Sequence, residues 1–403
     1  VSVVVGHHHW GSPGGGQLVC AATAYAFEAL GRRPVLSGVF KFKPEKYNDW
    51  YGIDLAKYPV VTLPLEARAF GLWARLFVWL PAKKALKRYK ADVLFLDEVT
   101  YRPLTKGRRY KIIEYIHFPF EVVVDPKFRG TGLAYGEDPY FSRYTTFPMS
   151  LYWRLFTWAL PRFSRGNPFY AADLVLTNSK WTAEVAKLVY GERPHVLNPP
   201  IAPNVEVLAG PAPFEEREAA VVMLGRFSQE KRYDWVVREV APRLIKEVPG
   251  AKIYIFGGAA TPTLRAYLNK VKKIAEEAGV ADVVITTPDA PRRDINKAMD
   301  KSRVFLHATV NEHWGIAVAE AMARGLPAVV HKSGGAWTDL AAEGEAALGY
   351  QSAEEAVESL AKLLTDRKTW SYYSQQSTRR AAGLTINNYI EHLNRYIDKF
   401  IKF

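Results

Sequence analysis

The chain opens on a β-branched run, Val1–Val5, breaks into the glycine turn Gly14-Gly15-Gly16, and continues as an apolar helical pattern from Gln17 to Leu30. Further short apolar runs lie at Pro59–Leu63, Val93–Leu96, Ile112–Ile116 and Leu174–Thr177, with helical stretches between several of them. Their length and β-branched content predict buried strands. Strand, helix, strand at this cadence predicts a parallel sheet covered on both faces. Asn198–Pro213 is rich in proline and lacks periodicity, which marks an interdomain linker.

The cadence restarts after the linker. Ala219–Leu224, Lys252–Phe256, Val283–Ile285, Val304–Leu306 and Ala328–Val330 read as strands. Asp234–Glu247, Pro262–Ala278, Arg292–Lys301 and Gly315–Arg324 read as the intervening helices. The pattern predicts an α/β chain of two Rossmann-like domains, residues 1–200 and 201–385. Residues 386–403 form a C-terminal helix expected to pack back toward the first domain. A length of 403 residues also exceeds what one core usually serves. Ligands of doubly wound sheets sit outside the carboxyl ends of the strands. Two such domains are therefore expected to face a common cleft.

Composition narrows the class. Hydrophobic residues at 48% and charged residues at 24% argue against disorder. The single cysteine, Cys20, excludes an internal disulfide framework and fits a reducing, cytoplasmic compartment. No apolar run is long enough to span a bilayer, and nothing resembles a signal peptide.

The net charge of +13 is unevenly placed. Lys83, Lys84, Lys87, Arg88, Lys90, Arg102, Lys106, Arg108 and Arg109 cluster in the first domain. Such a face can meet nucleic acid, anionic lipid or a phosphorylated substrate. No helix-turn-helix, RNA-recognition or zinc motif accompanies it, so nucleic acid is not an expected partner. Leu65–Lys90, with Trp73 and Trp79, and Met149–Phe163, with Trp153, Arg154 and Arg162, are strongly aromatic. They read either as core-facing helices or as an interfacial membrane surface.

The most specific stretch runs from Asn311 to Pro327. It follows a strand and leads into a helix whose first amides belong to Gly315, Ile316 and Ala317. Such unpaired N–H groups bind phosphate oxygens. Glu312 lies before the helix and Glu320 about one turn inside, so the two carboxylates face different parts of one ligand. A capped amphipathic helix with two solvated glutamates is the bland alternative. Arg226 and Lys231 follow the strand Ala219–Leu224 and can clamp a diphosphate. Gly257-Gly258 either lets backbone approach a phosphate or forms a turn.

Together these spacings resemble glycosyltransferase family 4 of the two-domain GT-B fold, over nearly the whole chain. The resemblance is strongest to mannosyltransferases that extend lipid-linked N-glycan precursors. It rests on Asn311–Ile316, on Ser333-Gly334-Gly335 with Asp339, and on the Gly14–Gly16 turn. It also rests on Tyr115–Pro119, Tyr152–Phe156 and Asn178–Thr182.

The resemblance implies a retaining, metal-independent transfer from a nucleotide diphosphate sugar, with GDP-mannose as the expected donor. The acceptor would be a glycan or lipid-linked oligosaccharide at the cytoplasmic face of an anionic membrane. Arg226 and Lys231, with the amides of Gly315, Ile316 and Ala317, would neutralise the leaving diphosphate. Glu312 would hold the transferred sugar, Glu320 the ribose, and His117 the donor sugar near the reacting carbon. Gly14, Gly15 and Gly16 would pass close to phosphates or acceptor.

No Asp-x-Asp pair occurs, so the usual carboxylate site for a nucleotide-bound divalent ion is missing and no metal or cofactor is expected. His7-His8-His9 alternate in direction at a strand end and are poor co-ligands, which leaves them loop packing or a polar cleft role. Asp97-Glu98 reads as a solvated turn or as a cleft-facing pair. A UDP-sugar donor and a non-catalytic sugar-nucleotide-binding scaffold remain as alternatives. A nicotinamide dehydrogenase is disfavoured because the glycines do not fit Gly-x-Gly-x-x-Gly.

Overall fold

A computed structural model describes residues 1–66, 71–97, 102–128, 130–133, 144, 146–164 and 166–401. The chain divides into two compact units. The first comprises Val1–Arg129, Phe141–Asn204 and Thr385–Phe403; the second comprises Gly130–Tyr140 and Val205–Leu384.

The first unit is built on seven parallel strands: β1 (Ser2–His7), β2 (Arg33–Gly38), β3 (Val60–Thr62), β4 (Val93–Leu96), β5 (Lys111–Ile116), β6 (Leu174–Thr177) and β7 (His195–Val196). Their spatial order is β3-β2-β1-β4-β5-β6-β7. The chain therefore reverses its winding between β1 and β4. A crevice forms at such a switch point because the helices leaving adjacent strands go to opposite faces. Val3, Val4, Val5 and the whole of β4 are fully buried, as strands covered on both sides must be. The C-terminal helix Ile386–Phe400 packs in this unit, where the Tyr389 hydroxyl meets Thr23 Oγ1 at 2.7 Å and Tyr396 donates to the Val196 carbonyl.

The second unit repeats the plan with six parallel strands: β8 (Glu218–Leu224), β9 (Lys252–Gly257), β10 (Val284–Pro288), β11 (Ser302–His307), β12 (Ala328–His331) and β13 (Leu348–Tyr350). Their order is β10-β9-β8-β11-β12-β13, so the switch point lies between β8 and β11.

Several elements differ from the sequence-based expectation. The stretch Leu65–Lys90 is not one helix: Gly71–Phe77 and Trp79–Tyr89 are separate, with the break at Val78. Phe70 lies outside the described residues. β2, β7, β13 and the helices Ala353–Thr365 and Arg367–Ala382 are additional.

Arg217 anchors the start of the second unit. It is 2% exposed and donates to the carbonyls of Ala212, Met299, Ser302 and Arg324. Burial pulls its guanidinium down to about 10, still fully charged at neutral pH. Arg217→Met would strip donors from four carbonyls at once. We expect a stability loss of at least about 3 kcal/mol by denaturant titration. A change below about 1 kcal/mol would show that water reaches these carbonyls.

Candidate active site at two strand switch points

In the second unit, the loops leaving β8 and β11 carry the predicted groups. β8 ends at Leu224 and the chain turns through Gly225 to Lys231. Gly225 donates to the Phe256 carbonyl and Phe227 to that of Gly258, which ties this loop to the end of β9. A Cβ at Gly257 would lie 1.8 Å from the Gly225 carbonyl oxygen, so backbone packing alone requires glycine there. Gly258 has no such crowding. Arg226 is largely exposed and approaches Glu230 at 3.5 Å. Lys231 points inward and donates to Glu312 Oε2 at 2.8 Å.

β11 ends in His307, whose Nε2 lies 2.9 Å from the same Oε2. Glu312 is buried, so desolvation pushes its carboxyl up. The Lys231 ammonium and the His307 hydrogen bond outweigh this and hold it well below the ordinary glutamate range. Burial in turn lowers the His307 imidazole.

The turn bearing Glu312 is buttressed from β12. Gly335 donates to the Glu312 carbonyl at 2.7 Å and Ser333 Oγ accepts from Asn311 N–H at 2.8 Å. Gly334 has φ +71°, and a Cβ there would lie 2.3 Å from the Glu312 carbonyl oxygen. The Ser-Gly-Gly run is thus the mould for Glu312.

Gly315, at φ +100°, starts the helix Ile316–Ala323. Among the described residues, no acceptor is recorded for the amides of Gly315, Ile316 and Ala317. Glu320 is buried one turn into that helix, where its Oε2 accepts from Arg292 at 2.8 Å. Neither glutamate is the solvated side chain of the bland alternative.

In the first unit, the switch point holds His7, which ends β1, and Asp97 and His117, which directly follow β4 and β5. Asp97 is buried, not the solvated turn residue that Asp97-Glu98 allowed; Glu98 lies outside the described residues. Its Oδ2 receives His7 Nδ1 at 2.7 Å and His117 Nε2 at 3.0 Å. The Gly15–Ala29 helix covers this cluster: a Cβ at Gly16 would lie 3.3 Å from Asp97 Oδ2, His117 Nε2 and His7 Cε1. Gly14 caps the helix and exchanges hydrogen bonds with the Tyr51 hydroxyl. His7, Cys20 and Asp97 bring potential metal-ligand atoms within 4.8 Å of one another. A cation there would compete with imidazole protons for Asp97.

Sequence reasoning missed His307 and Arg292, and for His7 it left loop packing and a polar cleft role open. A polar side chain ending an apolar strand was the available signal for His7 and His307.

Residues 207–380 match the family model "Glycosyl transferases group 1". Among curated proteins, a human GDP-Man:Man(3)GlcNAc(2)-PP-Dol alpha-1,2-mannosyltransferase is 27% identical over 207 residues, covering 48% of this chain and 42% of that protein. The enzyme of the same name from Eremothecium gossypii is 26% identical over 244 residues, covering 58% and 39%. These matches span about two fifths of those relatives. Among solved structures, a glycosyltransferase from Rickettsia africae superposes with TM-score 0.68 at 13% identity, covering 100% of this chain and 99% of that one. Sucrose-phosphate synthase from Thermosynechococcus elongatus gives 0.70 at 15% identity, covering 99% and 98%. The chain therefore carries a group 1 glycosyltransferase domain on residues 207–380 and has the two-sheet GT-B fold.

Proposed function

We propose that this chain is a retaining, metal-independent mannosyltransferase that uses GDP-mannose and extends a lipid-linked oligosaccharide. The observation that carries the reading is the Lys231–Glu312 pair at the second switch point, beside the Gly315 helix start. An ammonium and free helix amides on one crevice suit a leaving diphosphate. Arg226, exposed beside them, adds a second cation. His307 and Lys231 both converge on Glu312 Oε2, which leaves Oε1 for a sugar hydroxyl. Glu320, aimed by Arg292, takes the ribose. The names of the relatives, GDP-Man:Man(3)GlcNAc(2)-PP-Dol alpha-1,2-mannosyltransferases, support this choice of donor and acceptor.

In this reaction the bond between the sugar C1 and the β-phosphate oxygen breaks, and the acceptor hydroxyl oxygen bonds to C1 on the same face. The acceptor's proton goes to the departing phosphate. His117 holds the donor sugar, while Lys231, Arg226 and the helix amides stabilise the diphosphate without a divalent ion. The test combines thermal shift across GDP-, UDP- and ADP-sugars with transfer assays in EDTA. GDP-mannose should stabilise most, the α-anomer should form, and chelation should change nothing. Stabilisation by a UDP-sugar alone, or rescue of EDTA-treated enzyme by manganese, would overturn the respective parts.

A lipid-linked acceptor would bring the protein to a membrane, and exposed apolar and basic side chains of the first unit support that reading. No described helix is long and apolar enough to cross a bilayer. Trp73 and Trp153 are half-buried and pack on neighbouring rings, Trp73 against Tyr152 and Phe156, and Trp153 against Tyr144 and Phe156. Trp79 is partly buried. Exposed apolar groups include Leu151, Leu155 and Trp158, spaced as one stripe of the Met149–Phe163 helix, with Phe147 before it. Phe77 is exposed on the helix Gly71–Phe77, and Leu80, Lys83, Lys84 and Lys87 are exposed on the helix Trp79–Tyr89.

Each basic residue near an anionic surface contributes roughly 1 kcal/mol. We expect salt-sensitive flotation with phosphatidylserine vesicles, and its loss in a Leu151→Ser, Leu155→Ser, Trp158→Ser variant. Unchanged flotation of that variant would remove this stripe from the membrane contact.

A further inference from the structure

Asp97 is the only carboxylate among the described residues that receives two imidazoles, and the roles assigned above leave it without a function. It follows directly from β4, the inner strand at the first switch point, and is 4% exposed. One oxygen, Oδ2, lies 2.7 Å from His7 Nδ1 and 3.0 Å from His117 Nε2, and Oδ1 lies 2.9 Å from His7 Nδ1. A buried carboxylate accepts and cannot donate, so each contacting ring nitrogen must carry its proton.

For His117 this has one consequence. A proton fixed on Nε2 leaves Nδ1 as the lone-pair nitrogen of the neutral ring, and Nδ1 has no recorded partner among the described residues. The ring is held from behind by Tyr115, with centroids 5.0 Å apart. Its backbone carbonyl is pinned by Asn178 Nδ2 at 2.8 Å. His117 keeps about a third of its side chain exposed, whereas Asp97 and His7 are buried. Only His117, of the three, can meet a ligand.

We propose that Asp97 is a positioning residue: it fixes His117 as the Nε2–H tautomer, so that Nδ1 accepts a hydrogen bond from a hydroxyl of the donor sugar. His7 holds the second side of the carboxylate. Its own Nε2 is buried without a partner, so it serves Asp97 and no ligand. Gly16 is part of the same arrangement, because its missing side chain lets the helix start close over Asp97. Burial pushes the Asp97 carboxyl up, but the two imidazoles outweigh this and keep it ionised. An ionised group is the pure acceptor that the arrangement needs. Replacing such a carboxylate by an amide, which can donate as well as accept, releases the tautomer.

The inference rests on the reading that His117 contacts the donor sugar, and its test separates the two. Nitrogen-15 histidine spectra of the intact protein at about pH 8, above the ordinary histidine range, report the protonation of each ring nitrogen. The His117 signals are assigned by their loss in His117→Gln. We expect a protonated Nε2 and an unprotonated Nδ1 in the wild type, and a mixture of tautomers in Asp97→Asn. Transfer by Asp97→Asn should fall about 100-fold or more, in the range that loss of a tautomer-fixing carboxylate causes. Nucleotide diphosphate affinity should stay within about threefold.

A wild-type ring protonated on Nδ1 would overturn the proposal, and this measurement does not depend on any Asp97 variant folding. So would Asp97→Asn with near wild-type transfer while His117→Ala is impaired. If His117→Ala itself transfers normally, the sugar-contact reading fails instead, and the acceptor role of Nδ1 fails with it.

Discussion

Lys231→Ala is expected to lower transfer about 100- to 1,000-fold and, at the same time, to destabilise the ligand-free protein. The first effect follows from its place at the β8–β11 switch point, where a preorganised cation opposite developing diphosphate charge contributes about 3–4 kcal/mol to the transition state. The second follows from geometry. Lys231 Nζ sits 2.8 Å from Glu312 Oε2, with side chains 17% and 10% exposed. Removing one partner of a buried pair leaves the other charge uncompensated, typically at a cost of about 3–5 kcal/mol. The His307 hydrogen bond keeps Glu312 partly satisfied, which sets the expectation at the lower end.

The sign with pH is fixed by Glu312. Its carboxyl is held well below the ordinary range, so the pair stabilises fully above that range and loses its contribution as pH falls toward the depressed value. The deficit of Lys231→Ala is therefore largest near neutrality and narrows in acid. Glu312→Gln placed on top of Lys231→Ala removes the orphaned charge and should recover most of the stability while leaving transfer impaired. Denaturant titration of the single and double variants separates the two effects. Equal destabilisation in both would mean that packing, not the buried charge, carries the loss. Arg226→Ala, by contrast, removes an exposed side chain whose one ion pair is long. It should weaken transfer with little change in stability.

The same contrast shows what was legible in the sequence. Glu312, Glu320, Arg226 and Lys231 are recognisable because they cluster within short motifs after apolar strands. The depth of each is not, since Arg226 and Lys231 are five residues apart yet one side chain is 68% exposed and the other 17%. Partners brought together by the sheet are harder still. His7 and Asp97 are 90 residues apart, and they meet because Val3–Gly6 of β1 pairs in parallel register with Val93–Leu96 of β4. β2 escaped notice because Pro34 and Ser37-Gly38 leave only Val35-Leu36 as an apolar run. The helix Arg367–Ala382 is polar nearly all round, with Trp370, Ser374, Ser377 and Ala381 as its buried positions, and gives a weak period. Leu174–Thr177, buried at every position, matched its predicted bounds because the polar Asp173 and Asn178 mark both ends of the run.

His117→Ala is expected to lose transfer by about 100-fold or more while nucleotide diphosphate affinity changes less than twofold. In the proposed reaction the sugar acquires oxocarbenium character while its leaving oxygen stays near the incoming hydroxyl. The reacting carbon then has to be held within a fraction of an ångström, and misplacement of a bound reactant costs rates of this order. The backbone supports the separation of effects. The Asn178 side chain pins the His117 carbonyl, and Thr177 Oγ1 donates to the Ile116 carbonyl, so the loop after β5 keeps its path without the imidazole. What disappears is one ring held by Asp97 and Tyr115. In the proposed reading nucleotide binding rests on groups of the second unit and has no reason to respond. Calorimetry with GDP and single-turnover transfer measure the two quantities independently. A variant that loses GDP affinity as severely as Lys231→Ala would place His117 on the nucleotide, and full transfer would take it out of the reaction.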